Sequence, residues 1–507
     1  MSMSKKFYLT TAIAYLNSPP HIGFAYEVMG ADILARFKRM QGYRVFFLTG
    51  SDEHSLNIYH QAKKENLSPK EYCDRMVEVY LETWRRLGIS YDFFIRTTSP
   101  QHKRAVRKVL EGLFKKGVVY KGPYEGWYCI SCESFYREKD LIENKCPIHL
   151  RKCEWVKEEN YFFRLSDYQK FLKDLILSKP SFIEPEERRN EVLKIIEGGL
   201  QDISISRQGL KWGIPFPGEK GHTVYVWVDA LINYISGIGY GEDEEKFKTF
   251  WPADVHFIGK DILRFHCVIW PALLKALDLP LPEKVFAHGF LTLRGMKISS
   301  TQGNIIEPLE ILKEYPADVV RYYLFRDVAF GQDGDFSMEG MRERYNNELA
   351  NDLGNLVRRA VTMIEKYFQW IIPSPGSYLA LDKKLINLAK EVGENTEDFM
   401  ENLNFSQALK EIWRLVKRTN QYVEEASPWR LHKEGDKERL STSLYSILES
   451  LRIIATLLHP FMPSSTLRIL EELGLEESWL SLEKTKEWGL LPSGKRVRKG
   501  PPLFPRK

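Results

Sequence analysis

The feature that most constrains this chain lies near its start, in residues 7–38. Phe7-Tyr8-Leu9-Thr10-Thr11-Ala12-Ile13 is a short run of aromatic, branched and small residues, the composition of a strand. Asn17-Ser18-Pro19-Pro20 breaks it with a capping residue and two prolines. After His21-Ile22-Gly23-Phe24, apolar residues recur at Tyr26, Met29, Ile33, Phe37 and Met40, steps of three and four that mean an amphipathic helix. A buried strand feeding a helix through a tight turn leaves backbone N–H groups at the helix start. Those groups and the helix dipole favour a phosphate. Gly23 would let a ligand approach the backbone closely, and His21 brings an imidazole to the same place.

At 507 residues the chain exceeds what one core usually holds, so several domains are expected. A net charge of +5 does not announce a nucleic-acid binder, so any such surface must be local. Residues 1–6 lack a long apolar core, so no signal peptide is evident. The apolar run 265–274 is short of the roughly 18 residues a membrane helix needs. A soluble, cytoplasmic protein without membrane partners is expected. Six cysteines in a chain this long make no disulfide scaffold, and four of them lie between 129 and 153. That clustering suggests a metal in a reducing compartment.

Residues 1–115 read as the first half of a doubly wound parallel sheet. Arg44-Val45-Phe46-Phe47-Leu48 is a second strand, ending in Thr49-Gly50-Ser51-Asp52, and Asp92-Phe93-Phe94-Ile95 is a third. Ligand residues in such sheets sit at the carboxyl ends of strands, where Asp52 lies. Residues 116–223 change character. Cys129-Ile130-Ser131-Cys132 and Cys146-Pro147-Ile148-His149 form two close chelating pairs, C-x2-C and C-x2-H. Such pairs can supply four ligands to one tetrahedral, structural Zn²⁺, with Cys153 an alternative to His149. In residues 224–290 the sheet resumes, with apolar runs at 224–228, 255–258 and 285–290. Residues 291–350 hold a polar, small-residue loop around Lys297, suited to closing a lysine on phosphates. Residues 351–485 keep a three-four spacing and predict an antiparallel helix bundle. Asn355 and Arg359 share one face there, and Trp429 follows Pro428 at a helix break. The tail, 486–507, carries Lys495, Arg496, Arg498 and Lys499, and then Leu503 and Phe504. It either binds phosphate or folds back over the core.

His21-Ile22-Gly23-Phe24 and Lys297-Ile298-Ser299-Ser300-Thr301 together resemble, in altered form, the H-I-G-H and K-M-S-K-S signatures of class I aminoacyl-tRNA synthetases. Ala12-Ile13-Ala14-Tyr15, Thr49-Gly50-Ser51-Asp52-Glu53-His54, Tyr225-Val226-Trp227-Val228-Asp229-Ala230 and Phe257-Ile258-Gly259-Lys260-Asp261-Ile262 narrow the resemblance to the methionyl-tRNA synthetase family. The fold implied is a Rossmann-like catalytic domain with a zinc-binding insert, followed by an all-α bundle. The activity implied is ATP-dependent ligation of L-methionine to methionine tRNA through a methionyl-adenylate, with Mg²⁺ accompanying ATP.

The resemblance also implies residue roles. His21 and Lys297 would stabilise the reacting phosphate. His21, Gly23, Gly259, Asp261, Lys297, Ser299 and Ser300 would hold ATP. Ala12, Ile13, Tyr15, Asp52, Trp227, Tyr234, Ile262 and His266 would hold methionine, with Asp52 on its amino group. Asn355, Arg359 and Trp429 would read the anticodon. The insert is short beside the editing insertions of the isoleucyl, valyl and leucyl enzymes, so no editing domain is expected. A tRNA-binding module of the kind many relatives carry at their C-terminus could act in trans, or the chain could work as a monomer.

Two departures stand out. Phe24 replaces the second His of the first signature and Ser300 the second Lys of the other, removing a donor and a charge. Lys260 or Arg294 could compensate; slower chemistry is the alternative. Two other readings stay open at this point, a small nucleotidylyltransferase and a zinc-containing RNA-binding protein without catalysis.

Overall fold

The computed structural model describes residues 5–130, 133–136, 138–147, 150–298 and 305–507, with Ser134, Lys139 and Lys297 described by backbone alone. Cys132, His149, Ser299 and Ser300 lie outside the described residues.

The strand expected from the first apolar run spans Lys6–Thr11, and the helix after the prolines spans Ile22–Met40. Lys6–Thr11 is central. It pairs in parallel with Arg44–Asp52 on one side and with Val255–Gly259 on the other. Val255–Gly259 continues to Val285–His288, which pairs with Ile183–Glu184. Arg44–Asp52 also pairs with Ala14–Tyr15 and Phe93–Arg96. All seven strands of this sheet are parallel. The chain winds outward in both directions from Lys6–Thr11, which makes the carboxyl ends of Lys6–Thr11 and Val255–Gly259 the switch point where a ligand crevice opens.

Two sequence expectations need correction. The apolar run 224–228 is not a strand of this sheet. His222–Val224 closes a small antiparallel pair with Ser206–Gln208, and Val226–Leu231 is a helix. A short apolar run carries no period by which strand and helix can be told apart. The second correction concerns residues 116–223, which are not wholly an insert, because Ile183–Glu184 supplies an outer strand of the parallel sheet. The rest of that range is built on a long antiparallel pair, Val119–Cys129 with Glu154–Phe163.

Helix Ile22–Met40 is buried along most of its length, so it is a core element rather than a surface amphipath. Gly30 permits this: a Cβ there would lie 2.6 Å from the Phe330 ring. Three charged residues of the helix, Glu27, Asp32 and Lys38, are buried with it. Asp32 accepts from Arg36 at 2.8 Å and from Arg321 at 2.7 Å, and Arg321 also donates to the carbonyls of Pro460 and Phe461. Burial would raise the Asp32 carboxyl, but the two guanidiniums hold it well below the carboxylate range. The helix that begins at His21 is thereby tied to the helical region.

That region contains Asn355–Phe368, Ala380–Glu401, Phe405–Ala426, Pro428–Glu434, Lys437–Leu458 and Pro463–Glu472. The tail folds back. Leu503 and Phe504 are buried, Ile372 N–H donates to the Lys495 carbonyl at 2.9 Å, and Val497 N–H donates to that of Trp370 at 2.7 Å. Among the described residues no helix is long and apolar enough to cross a membrane.

Candidate active site

His21 caps the first helix in extended conformation, and its Nδ1 accepts the Phe24 N–H at 3.3 Å. A neutral ring then carries its proton on Nε2, as a donor. The helix's first turn contains no acidic residue, so its N–H groups and dipole are not neutralised locally. Gly23 keeps the approach open: a Cβ there would sit 3.1 Å from His21 Nδ1. Phe24 packs on Tyr80 and Trp84, at ring distances of 6.4 and 5.8 Å, and supplies packing where the signature has a second imidazole.

Strand Val255–Gly259 ends beside this helix start. A Cβ on Gly259 would lie 2.7 Å from Asp261 Oδ1, so the glycine lets the Asp261 carboxylate fold back over the strand end. Lys260 turns away: its Nζ lies 2.7 Å from Asp333 Oδ2 and 4.5 Å from the centre of the Phe290 ring.

These groups border one cavity of about 330 Å³. It is lined by His21, Gly23, Gly259 and Asp261, and by Ala12, Ile13, Tyr15, Asp52, Trp227, Tyr234, Ile262 and His266. One end is aromatic. The Trp227 ring stacks on Phe265 at 3.7 Å and 9°. Tyr234 donates its hydroxyl to His266 Nε2 at 2.7 Å, while His266 Nδ1 donates to the Ile262 carbonyl at 3.0 Å. That pattern fixes a neutral imidazole, and burial pulls its pKa down to about 4. The wall so formed is soft and uncharged, suited to an apolar side chain with one weak acceptor.

The other end is anionic. Asp52 ends strand Arg44–Asp52 and accepts the His54 N–H at 3.4 Å. Burial, reinforced by the Asp229 and Glu133 carboxylates, pushes Asp52 well above the ordinary carboxylate range. A cation placed against it would lower that pKa and hold the carboxylate ionised.

Sequence reasoning missed several lining residues. Phe265 adjoins His266 in an aromatic pair that signalled a wall. Glu133 carried no signal: its Oε1 accepts the Tyr15 hydroxyl at 2.9 Å and the Leu56 N–H at 2.8 Å, contacts made only across the fold. Glu27 and His288 were also missed. Glu27 accepts the Ala12 N–H at 2.8 Å and lies 2.9 Å from His288 Nε2.

Asn355, Arg359 and Trp429 lie far along the chain, on the helical region. Asn355 is exposed on helix Asn355–Phe368, and Arg359 bridges to Glu424 at 2.6 Å on the helix that leads to Trp429. Trp429 is 45% exposed, so it is not a core residue. In the insert, Cys129, Cys146 and Cys153 form one small buried cluster. Among the described residues no set of three or more His, Cys, Asp or Glu is arranged to hold a metal ion.

Comparison with known proteins places these features. A family model described as "tRNA synthetases class I (M)" matches residues 7–154 and 137–361, and one described as "Anticodon binding domain of methionyl tRNA ligase" matches 372–506. The chain is 50% identical over 506 residues to a methionine–tRNA ligase of Caldanaerobacter subterraneus, covering 99% of this chain and 79% of that protein. It is 48% identical over 503 residues to one of Thermotoga maritima, covering 98% and 80%. Among solved structures, Mycobacterium tuberculosis methionyl-tRNA synthetase in complex with methionyl-adenylate superposes with a TM-score of 0.95 at 40% identity, over 99% of this chain and all of that one. The free-state structure of the same enzyme gives 0.89 at 38% identity, over 99% and 98%.

Proposed function

Because the chain belongs to the methionyl-tRNA synthetases of class I, ligases that charge tRNA with methionine through methionyl-adenylate, we propose that the cavity beside His21 is where this chemistry takes place. The observation that carries this reading is the convergence of Ala12, Ile13, Tyr15, Asp52, Trp227, Tyr234, Gly259, Asp261, Ile262 and His266 on one cavity at the start of helix Ile22–Met40.

Methionine's side chain lies against Trp227, Tyr234, Ile262 and His266, with Ala12, Ile13 and Tyr15 closing the other side. Its ammonium meets Asp52. Its carboxylate attacks the α-phosphorus of ATP, which enters with Mg²⁺; the bond to the β-phosphate bridge breaks and pyrophosphate leaves. No protein nucleophile takes part, so catalysis is positioning and stabilisation of phosphate charge. His21 Nε2–H and the helix N–H groups face that charge, Lys297 adds a cation, and Gly23, Ser299 and Ser300 complete the cradle. Gly259 and Asp261 receive the ribose. The terminal hydroxyl of the tRNA then takes the methionyl group and AMP leaves. Asn355, Arg359 and Trp429 are proposed to contact the anticodon, a role supported by the exposure of Trp429.

The donor set of the insert fits a zinc ion. Cys129, Cys146 and Cys153 are soft ligands already buried together, and burial followed by its two neighbours raises the Cys153 thiol to about 11, a repulsion that a cation would relieve. Cys129, Cys132 and Cys146 would hold it, with His149 or Cys153 as the fourth ligand. When bound, it would cross-link the insert's turns and supply no chemistry to the reaction. A reducing, cytoplasmic compartment goes with this reading, because six cysteines in 507 residues, four of them clustered as metal ligands, make no disulfide scaffold.

Exchange of pyrophosphate into ATP tests the site. It should require methionine and fail with other amino acids, and Trp227→Ala should raise the methionine KM by about tenfold or more, the loss of one aromatic wall. Unchanged KM in that variant would remove the cavity from methionine recognition.

A further inference from the structure

Two stretches, residues 49–54 and 225–230, each give the cavity a lining residue near one end, Asp52 and Trp227. Each also carries a buried ionisable residue that does not line it. Asp229 is fully buried and accepts His54 Nδ1 at 2.8 Å on one oxygen and His102 Nε2 at 2.7 Å on the other. His102, from helix Pro100–Lys115, reaches Ser236 Oγ at 2.8 Å through Nδ1. Asp229, His102 and Ser236 are 0% exposed and His54 is 3%. Burying an ionised carboxylate is costly, and an apolar residue would fill the space at less expense.

This cluster has a route into the cavity. The imidazole gripped by Asp229 belongs to the residue whose backbone N–H orients Asp52. Burial would raise the Asp229 carboxyl, but the two imidazoles hold it at about 2, so it is charged at every working pH. The groups facing Asp52 are Asp229 on helix Val226–Leu231, Glu133 from the insert, Glu53 just past the end of its strand and the phenol of Tyr15. After burial itself, Asp229 has the largest influence of these on Asp52.

We propose that Asp229, held between His54 and His102, is a positioning residue for recognition of the substrate's α-ammonium. It orients Asp52 through His54 and places a fixed second negative charge behind it. The inference rests on the assignment of Asp52 to that ammonium. A cavity biased in this way rejects a thioether carboxylic acid without an amino group, since the Asp52 carboxylate would then meet no cation.

Asp229→Asn removes the charge at constant shape, and neutral imidazoles can accept from the amide. In pyrophosphate exchange it should raise the methionine KM at neutral pH by about tenfold with little change in kcat. The acid limb of kcat/KM for methionine should move down by about one pH unit or more, because Asp52 then ionises more easily. Asp229→Glu keeps the charge and should leave the limb in place even where KM worsens. Asp229→Ser, which also lacks the charge, serves where the amide variant melts below the assay temperature. Asp52→Asn separates the two ideas. If that variant keeps the wild-type methionine KM, the ammonium assignment fails and takes this inference with it. If Asp52→Asn raises KM and abolishes the acid limb, while the uncharged Asp229 variants keep the wild-type limb, Asp229 is only structural and the inference is overturned.

Discussion

Lys297→Ala should slow adenylate formation by about a hundredfold or more, because the nearby cation Lys260 is already engaged by a carboxylate. Lys297 follows Met296 in a short strand whose Cα partner is Thr292, and the residues on either side of this pair, Leu291 and Ile298, both line the cavity. The backbone of Lys297 therefore runs beside the cavity. The other cation in reach of the strand ends, Lys260, is bridged to Asp333 at 2.7 Å and sits over the Phe290 ring. To serve a phosphate it would have to leave a carboxylate and an aromatic face. Arg294 is exposed at the turn between the two strands. With Phe24 contributing packing and Ser300 no charge, Lys297 is the cation expected to carry the phosphate load. Removing one preorganised donor of developing charge costs about 2.7–4 kcal/mol, or a factor of about 10² to 10³ in rate. Single-turnover formation of methionyl-adenylate reads this directly, and methionine affinity should hardly move, because the residues proposed to hold methionine, Asp52, Trp227, Tyr234 and His266 among them, are left unchanged. A near-wild-type rate in Lys297→Ala would refute the reasoning. A Lys260→Ala/Lys297→Ala double variant would then show whether Lys260 abandons Asp333.

Three further outcomes are expected. Trp429→Ala should lower kcat/KM for methionine tRNA by about 1–3 kcal/mol, the worth of one stacked base, and leave pyrophosphate exchange intact; equal loss in both assays would remove Trp429 from RNA recognition. Zinc should be stoichiometric in the purified protein and fall in Cys146→Ser, and comparison of Cys153→Ser with His149→Ala by metal analysis should identify the fourth ligand. Acid should destabilise the catalytic domain through His266: its folded pKa of about 4 lies below the ordinary 6.5, so the stability it contributes is complete above pH 6.5 and declines as pH falls toward 4. The loss amounts to about 3 kcal/mol for this one group, and urea unfolding at pH 4.5 and 7 should show it weakened in His266→Gln.

The parts of this molecule that were legible in the sequence are those whose physics is local. The helix at Ile22–Met40 announced itself by spacing, and Asp52 by its place at the end of a strand, where a doubly wound sheet opens its crevice. The parts that were not legible depend on residues distant in the chain. Glu133 follows a cysteine pair and looks like part of a metal turn, yet it accepts hydrogen bonds from Tyr15 and the start of the helix at Leu56. Asp229 reads as one polar residue in an apolar run, and only the packing of helix Pro100–Lys115 against it brings His102 to its second oxygen. The run 224–228 was misread for a related reason: five consecutive apolar residues fix burial and leave geometry to whatever packs around them. Polar residues buried at long range carry no period, and their chemical meaning comes from partners that the fold supplies. Here those partners converge on Asp52. Phe24 shows the converse: it stands where the signature has a second imidazole, lines the cavity and packs on Tyr80 and Trp84, yet it holds neither a strand end nor one of these buried pairs, so the fold does not depend on an imidazole there.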